Sequence, residues 1–291
     1  MDESTFTFPS SDGTEIHVYR WSPPDEPSAI VQVAHGMGEH AARYRRLAEA
    51  LTTAGYVVYA NDHRGHGRTA GSVDHHGDLG ADGWQGLVDD IGRLSAIARA
   101  EHPGVPLVVL GHSMGSFALQ QYLLDRSDEL DGAALTGTSA VDVIAAGIDP
   151  DAEVDLSAFN APFEERTGYE WLSRDETEVD LYVADDACGF GLIPASTREM
   201  LDGVAPLSDP ERLAGIRGDL PILLASGDAD PLAGGGALID VVAQRYRDAG
   251  VADVTVHLYP GARHEVFNET NRDEITADIL AWLDRVTHGG T

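Results

Sequence analysis

The sequence predicts an α/β protein with a mostly parallel central sheet flanked by helices on both faces. Short apolar segments of strand length alternate along the chain with segments whose apolar residues recur at helical spacing. The strand-sized segments are almost wholly apolar, as expected for strands that are buried on both faces of a parallel sheet. With 291 residues, the chain is long enough for one large domain that carries an insertion.

The N-terminal strands are predicted to form a hairpin. Residues 5–8 and 15–21 alternate between polar and apolar side chains, and the segment Ser10-Ser11-Asp12-Gly13 has the composition of a tight turn. Short apolar segments predict further strands at 29–34, 56–60, 107–110, 132–136, 221–226 and 254–259. Helical periodicity predicts helices at 43–53, 84–100, 116–126, 238–249 and 274–286. This alternation makes parallel neighbouring strands the expected arrangement.

One internal segment departs from the alternation. Residues 141–206 are acidic, contain interspersed tryptophan and tyrosine, and show no strand periodicity. We interpret them as an inserted helical segment, so that residues 1–140 and 207–291 form the α/β core. Apolar and aromatic side chains are numerous for so acidic a segment, which favours a segment that roofs a concave site.

The sequence Gly111-His112-Ser113-Met114-Gly115 stands between a predicted strand and a predicted helix. This is the context that a G-x-S-x-G nucleophile motif requires, because a serine on a sharp turn exposes its hydroxyl oxygen. Glycines suit such a turn because it leaves no room for side chains. The motif predicts that Ser113 is a nucleophile and that the Met114 amide, at the helix N-terminus, faces an oxyanion. A glycine-rich turn with a solvated serine is the alternative.

Two late loops contain candidate partners for Ser113. A nucleophilic serine needs a histidine base, and the base needs a carboxylate that holds its tautomer. In a parallel sheet these groups come from loops at the carboxyl ends of strands. His264 follows the last predicted strand, while Asp228 and Asp230 follow the strand before it. Position alone leaves both aspartates as candidates for the acid, and either could instead cap its turn.

Five motifs are spread over nearly the whole chain. They are His35-Gly36-Met37-Gly38-Glu39-His40, Asp62-His63-Arg64-Gly65-His66-Gly67, Gly111-His112-Ser113-Met114-Gly115, Gly227-Asp228-Ala229-Asp230-Pro231 and Gly261-Ala262-Arg263-His264-Glu265. Together and in this order they resemble the α/β-hydrolases of the monoacylglycerol lipase and lysophospholipase type, which are sometimes grouped with serine aminopeptidases. The resemblance implies the α/β-hydrolase fold, in which the segment 141–206 matches the cap in position and size.

The resemblance also implies roles for individual residues. The family's acid lies three residues after the glycine that ends its strand, which here is Asp230 rather than Asp228. The loop at 35–38 is similar to the family's HGxG loop, so Met37 is expected to supply the second amide of the oxyanion hole beside Met114. A plain glycine-rich turn is the alternative for this loop. No metal ion is expected to take part in this site.

The implied activity is hydrolysis of a monoacylglycerol to fatty acid and glycerol through an acyl-enzyme, with no cofactor. A lysophospholipase, a short- or medium-chain carboxylesterase and a peptidase are alternatives with the same catalytic residues. A non-catalytic binding protein of the same fold is the alternative of another class. The expected partner is a small lipid ester, and the cap residues expected to contact it are Phe159, Tyr169, Trp171, Phe190 and Ile193.

Three other motifs are interpreted as structural. Asp62, Arg64 and His66 are expected to form a loop brace held by an Asp–Arg hydrogen bond. The segment 74–78 has residue types that bind metals, but we expect a solvated loop because no regular element fixes their spacing. The glycines at 234–236 lack a phosphate-loop fingerprint and are expected to lead flexibly into a helix.

The composition sets limits on partners and location. The net charge is −30, every basic residue is arginine, and nucleic acid or anionic membranes would be repelled, leaving at most transient contact with a lipid interface. This imbalance favours adaptation to high salt, with a GC-rich genome as the alternative. Cys188 is the only cysteine, which excludes disulfides and cysteine-based metal sites within one chain. The acidic N-terminus without an apolar segment predicts a cytoplasmic protein.

Overall fold

An eight-stranded sheet forms the centre of the structure, a computed structural model that describes residues 1–145 and 147–289. The strands are Asp2–Pro9 (β1), Glu15–Ser22 (β2), Ala29–Ala34 (β3), Tyr56–Asn61 (β4), Leu107–His112 (β5), Gly132–Thr136 (β6), Ile222–Gly227 (β7) and Val254–Tyr259 (β8). Their order in the sheet is β1-β2-β4-β3-β5-β6-β7-β8. The strands from β4 to β8 in this order are parallel, and β1 and β2 pair as the antiparallel hairpin. The predicted fold class is confirmed.

Helices cover both faces of the sheet. They are Arg45–Thr53 (α1), Gly67–Ala70 (α2), Gly83–Glu101 (α3), Met114–Arg126 (α4), Val141–Ala145 (α5), Glu176–Val183 (α6), Pro194–Val204 (α7), Pro210–Leu213 (α8), Ala237–Asp248 (α9) and Arg272–His288 (α10). Helices α1 and α10 pack on one face, and α3, α4 and α9 pack on the other. None of the described helices is both long and apolar enough to cross a membrane.

Strand β3 shows why its residues form a buried parallel strand. Ile30 and Ala34 point into the core beneath α3 and α4, while Val31 and Val33 point into the core beneath α1 and α10. Successive side chains of a strand face opposite ways, so a strand covered on both sides is mostly apolar on both faces. The one polar side chain of β3, Gln32, is buried and is hydrogen-bonded to Ile91 O and to the Ser95 hydroxyl. Burial of each such apolar side chain contributes about 1.5–3 kcal/mol.

Strand β5 and helix α4 meet more closely than the sequence predicts. The strand continues through Gly111 and His112, which pair with Leu135 and Thr136 of β6. The helix begins at Met114, so one residue, Ser113, makes the whole connection. Sequence patterning placed both boundaries away from the motif because glycines weaken strand and helix signals alike.

The segment 141–206 contains α5, α6, α7 and short 3₁₀ turns, and its described residues include no strand. Its last helix packs as part of the core, with Met200 and Val204 of α7 buried beside α3 and α4. Trp84 N donates to Glu199 Oε2 at 3.2 Å across this contact. The 3₁₀ turns at Leu156–Asn160 and Glu170–Leu172 lie instead over the carboxyl ends of the strands.

Candidate active site

Ser113 occupies a strained turn between β5 and α4. Its φ of 50° and ψ of −122° make it the one non-glycine residue with positive φ in the described part of the chain. Such a conformation is costly for a residue with a β-carbon and persists where the surrounding structure enforces it. A β-carbon on Gly111 would lie 2.7 Å from the Gly115 carbonyl oxygen, and one on Gly115 would lie 2.2 Å from that of Ala34. The turn therefore requires glycine at both positions.

A buried histidine–aspartate pair lies beside this turn. His264 Nδ1 is 2.9 Å from Asp230 Oδ2, and the two side chains are 2% and 0% exposed. Burial disfavours the imidazolium, but the charge and hydrogen bond of Asp230 outweigh it and raise the pKa of His264. Asp228 is exposed and accepts a hydrogen bond from Gly261 N at 2.6 Å instead. Of the two candidate acids, the structure brings only Asp230 to the histidine.

Ser113 and His264 line one small cavity with about 350 Å³ of empty space. Its walls are mostly apolar and aromatic: Met37, Leu156, Phe159, Trp171, Leu172, Tyr182 and Leu232. No hydrogen bond joins the Ser113 hydroxyl to His264 among the described residues; such contacts in unliganded sites often tighten only when substrate binds. An apolar cavity that ends at a serine and a histidine suits an acyl chain with its ester group at the polar end.

Two backbone amides belong to segments that lie beside the nucleophile. Met114 N belongs to the first residue of α4, where an amide has no acceptor within the helix. Met37 lies in the loop after β3, and a β-carbon on the preceding residue, Gly36, would lie 3.1 Å from Ser113 Cβ. The loop is thus in contact with the serine. In the described part of the chain, neither amide donates a hydrogen bond to another residue.

The predicted cap residues divide into two groups. Phe159 and Trp171 line the cavity, and the Trp171 ring packs 4.7 Å from the His264 ring, centroid to centroid. Tyr169, Phe190 and Ile193 do not line it, so their expected contact with substrate is not supported. Tyr169 donates to Gly189 O, Phe190 stacks on His76 at 4.1 Å, and Ile193 precedes α7.

The residues expected to contact substrate did not include four apolar residues of the cavity wall. Leu156, Leu172 and Tyr182 belong to the insertion, and Leu232 follows the acid loop. For the three residues of the insertion, the only signal in the sequence is apolar character within an acidic segment. That signal does not separate residues that line a cavity from residues that pack against the core.

Main-chain hydrogen bonds tie the insertion to the loop that carries His264. His264 N donates to Trp171 O at 3.3 Å, and Glu265 N donates to Leu172 O at 2.8 Å. The guanidinium of Arg263 also donates to the carbonyl oxygen of Glu170 at 2.6 Å. Residues 170–174 are therefore part of the support of the histidine.

The predicted Asp62–Arg64 brace is wrong in its pairing. Asp62 accepts hydrogen bonds from the main-chain nitrogens of Ala41 and Arg68, at 2.9 and 2.7 Å. Arg64 turns the other way and forms buried ion pairs with Asp12 at 2.5 Å and Asp90 at 2.8 Å. The two residues therefore hold different segments in place.

Metal-ligating residue types converge at one place in the described residues, and it is not the segment 74–78. The atoms of His40, Asp185 and Cys188 lie within 4.8 Å of one another. The sequence analysis considered only metal sites built from several cysteines. It did not consider this mixed set, in which a single thiolate lies beside a histidine and a carboxylate. His40 Nε2 and Asp185 Oδ2 are 2.9 Å apart, so they satisfy each other as a hydrogen-bonded pair.

The fold and site together define an α/β-hydrolase with a serine nucleophile. The model of the serine aminopeptidase S33 family matches residues 25–271, and the chain belongs to this family. It is 34% identical over 285 residues to a monoacylglycerol lipase of Mycolicibacterium smegmatis, covering 96% of each chain. It is 30% identical to monoglyceride lipase of Mus musculus, covering 93% of this chain and 86% of the relative. A solved carboxyl esterase of Bacillus coagulans in complex with glycerol superposes with a TM-score of 0.85 at 29% identity, covering 99% of both chains.

Proposed function

We propose that this protein is a serine carboxylic-ester hydrolase that cleaves monoacylglycerols to fatty acid and glycerol. The observation that carries the proposal is the buried His264–Asp230 pair, which opens with Ser113 into one apolar cavity. The similarity to monoacylglycerol lipases over nearly the full chain supports the same substrate class.

In the proposed mechanism, the Ser113 hydroxyl oxygen attacks the acyl carbonyl while His264 accepts its proton. Asp230 keeps the His264 tautomer and stabilises the imidazolium that forms. The amides of Met37 and Met114 donate to the tetrahedral oxyanion. His264 then protonates the glycerol alkoxide as it leaves, and the acyl-enzyme is hydrolysed by a water that His264 deprotonates. The cycle returns every group to its starting state.

Residues 141–206 are proposed to act as the cap of this enzyme, with residues 1–140 and 207–291 as the core. Leu156, Phe159, Trp171, Leu172 and Tyr182 from the cap form much of the cavity wall above Ser113. The packing of α7 against α3 and α4 anchors the C-terminal end of the cap.

The preferred substrates are proposed to be neutral monoacylglycerols of medium chain length. Each methylene that enters the cavity contributes about 0.8 kcal/mol, so chains of roughly eight to twelve carbons gain several kcal/mol. The net charge of −30 disfavours anionic lysophospholipids and acidic interfaces. Triacylglycerols are expected to be poor substrates because a cavity for one chain cannot hold three.

The test compares hydrolysis of monoacylglycerols, lysophosphatidylcholine, tributyrin, p-nitrophenyl esters and a peptide amide by wild type and Ser113→Ala. We expect the highest kcat/KM on medium-chain monoacylglycerols, covalent labelling of Ser113 by a fluorophosphonate, and loss of both in the variant. Higher kcat/KM on lysophosphatidylcholine or tributyrin would overturn the substrate assignment but leave the serine mechanism. A wild-type protein that the probe does not label would be a binding protein rather than an enzyme.

A further inference from the structure

Arg43 is a buried cation at the meeting point of two loops of the proposed active site. It lies in the 3₁₀ turn Ala41–Tyr44 that precedes α1, and its side chain is 12% exposed. Its guanidinium contacts Glu39 Oε2 at 2.7 Å and both carboxylate oxygens of Glu265 at 2.5 and 2.7 Å. A planar guanidinium can bridge two carboxylates in this way because its donors point in fixed, divergent directions.

Glu39 connects this cation to the loop of the proposed oxyanion hole. Its Oε1 accepts hydrogen bonds from Gly36 N at 2.7 Å and from the Tyr44 hydroxyl at 2.8 Å. Gly36 directly precedes Met37, and its carbonyl group belongs to the same peptide unit as the Met37 amide. The Glu39 carboxylate therefore restrains Gly36 and, through it, this peptide unit. The position of that amide therefore depends on where Glu39 is held.

Glu265 connects the same cation to the loop of the proposed base. It directly follows His264, and its own amide is fixed on Leu172 O. Its carboxylate is 7% exposed and also accepts a hydrogen bond from Asn268 Nδ2 at 2.8 Å. Arg43 thus holds the residue next to the histidine through two parallel charge-assisted hydrogen bonds.

The charges of the cluster identify which carboxylate balances Arg43. Burial opposes ionisation of Glu265, but the charge and hydrogen bonds of Arg43 outweigh it and lower the pKa of Glu265. Burial raises the pKa of Glu39, and Arg43 offsets this only in part. The Arg43–Glu265 pair is therefore the ionic part of the cluster, with Glu39 attached through hydrogen bonds as well as charge.

The cap reaches the same cation through an aromatic ring. The Arg43 guanidinium carbon lies 4.8 Å from the centre of the Tyr182 ring, within the range of a cation–π contact. The Tyr182 hydroxyl donates to Gly38 O at 2.7 Å, on the far side of Met37 from Gly36. Met37 thus lies between Gly36, which is bound by Glu39, and Gly38, which is bound by Tyr182. Both of these partners contact Arg43.

We propose that Arg43 is a positioning residue that fixes the oxyanion loop and the base loop relative to each other. Arg43 contacts neither Ser113 nor His264 within the described residues, so it acts through Glu39 and Glu265. The inference rests on the proposed function, because it needs the Met37 amide and His264 to act on one substrate. Misplacement of such groups by about 1 Å costs on the order of 10²-fold in rate.

Arg43→Lys is the direct test, because lysine keeps the charge but its single nitrogen cannot reproduce the planar two-bond pairing with Glu265 together with the contact to Glu39. We expect kcat and the rate of fluorophosphonate labelling to fall together by about 10²-fold, with KM nearly unchanged. The matched control is Arg45→Lys, since Arg45 is two residues away, 58% exposed and paired with Glu3 and Glu49 on the surface. The control is expected to keep wild-type kcat.

A purely structural role for Arg43 gives a different result. In that case Arg43→Lys would lower the thermal unfolding midpoint, but kcat per folded molecule, measured well below that midpoint, would equal wild type. This outcome, with Ser113→Ala inactive, overturns the inference and leaves the proposed function intact. An active Ser113→Ala variant would instead overturn the proposed function.

A double-mutant cycle tests the coupling without changing Arg43. Glu39→Gln releases the oxyanion side of the cluster and Glu265→Gln releases the base side. If Arg43 couples the two loops, the double variant loses less in kcat/KM than the product of the two single losses, because either change already frees one loop. Single losses that multiply in the double variant would overturn the inference.

Discussion

At the scale of single residues, burial and the neighbouring Asp230 have opposite effects on the pKa of His264. His264 is 2% exposed, and burial alone would lower the pKa of its imidazole, because a buried charge is unfavourable. Asp230 reverses this by offering a negative charge and an acceptor at 2.9 Å. Asp230 is therefore the main partner that raises the pKa of His264, with smaller contributions of the same sign from Glu265 and Glu39, and its role can be measured.

The pH dependence of activity is expected to follow from this balance. Only neutral His264 can accept the serine proton, and Asp230 raises its pKa above the ordinary value of 6.5. We therefore expect kcat/KM to fall as the pH drops through a value above 6.5, and to remain high on the alkaline side of it. The kcat/KM profile on a neutral ester, whose ionisation does not change over this range, provides the measurement. An acid limb centred below 6.5 would contradict the prediction.

The two candidate acids are expected to differ strongly on substitution. Asp230→Asn leaves His264 without its orienting carboxylate and is expected to lower kcat by about 10⁴-fold. Asp228→Asn is the matched control, because Asp228 is exposed and holds only the Gly261 amide of its turn. Steady-state kinetics of the two purified variants make the comparison, and a greater loss in the Asp228 variant would transfer the role to that residue.

Residues of the site differed in how far the sequence could identify them. Ser113 lies within a motif of five consecutive residues, so local order identifies it. The link between Arg43 and Glu265 spans 222 positions and has no local pattern, because an ion pair needs only opposite charges that the fold brings together. The same reason explains the wrong pairing of Asp62 with Arg64, where proximity in sequence was taken for contact.

At the scale of elements, the turn at Ser113 depends on the close packing of β5, α4 and the end of β3. We expect Gly115→Ala to lower the free energy of unfolding by about 1–3 kcal/mol or more, since its β-carbon would lie 2.2 Å from Ala34 O. Urea unfolding followed by circular dichroism measures the change. Activity should fall as well, because relief of the clash must move the end of β3 or α4, and the proposed oxyanion donors Met37 and Met114 follow β3 and begin α4.

Gly147→Ala is the control for this prediction. Gly147 is exposed, and a β-carbon there would make only an ordinary contact, 3.5 Å from Ile144 O. A change within about 0.5 kcal/mol is expected for such a surface position. Equal losses in the two variants would show that crowding at the serine turn is not the cause.

Elements of the core could be predicted because hydrophobic patterning and topology act together there. The predicted bounds of β3, β6 and β8 agree with the structure, since each strand is a short apolar segment between polar turns. The insertion offered no such pattern. Its helices are short, and which of its apolar residues face the cavity or the core depends on tertiary packing that periodicity does not encode.

At the scale of the whole molecule, charge is the dominant feature. The chain carries 49 acidic and 19 basic residues, and most of the arginines are already engaged in ion pairs, so the excess of carboxylates is unpaired. Mutual repulsion among these groups opposes the compact state. Salt weakens that repulsion over distances longer than the Debye length, about 8 Å at physiological ionic strength and 3 Å at 1 M.

We expect the thermal unfolding midpoint to rise with KCl and to go on rising into the molar range. General screening accounts only for a rise that levels off at about a few hundred millimolar, where the Debye length is already several Å. A further rise requires stabilisation of the hydrated acidic surface itself. Melts recorded across this range of KCl test the prediction, and a plateau or a fall at high salt would favour a compositional origin of the acidity.

The attachment of residues 170–174 to the histidine loop affects how this fold can diversify. If the whole of 141–206 were exchanged between relatives, support of His264 and Glu265 would depend on whether the incoming backbone placed its carbonyl oxygens where those of Trp171 and Leu172 lie. Recombination confined to residues 147–165 would change Leu156 and Phe159 in the cavity wall and leave that support intact. The first half of the insertion is therefore the part that can be exchanged to alter substrate range, while the second half has to be inherited with the core.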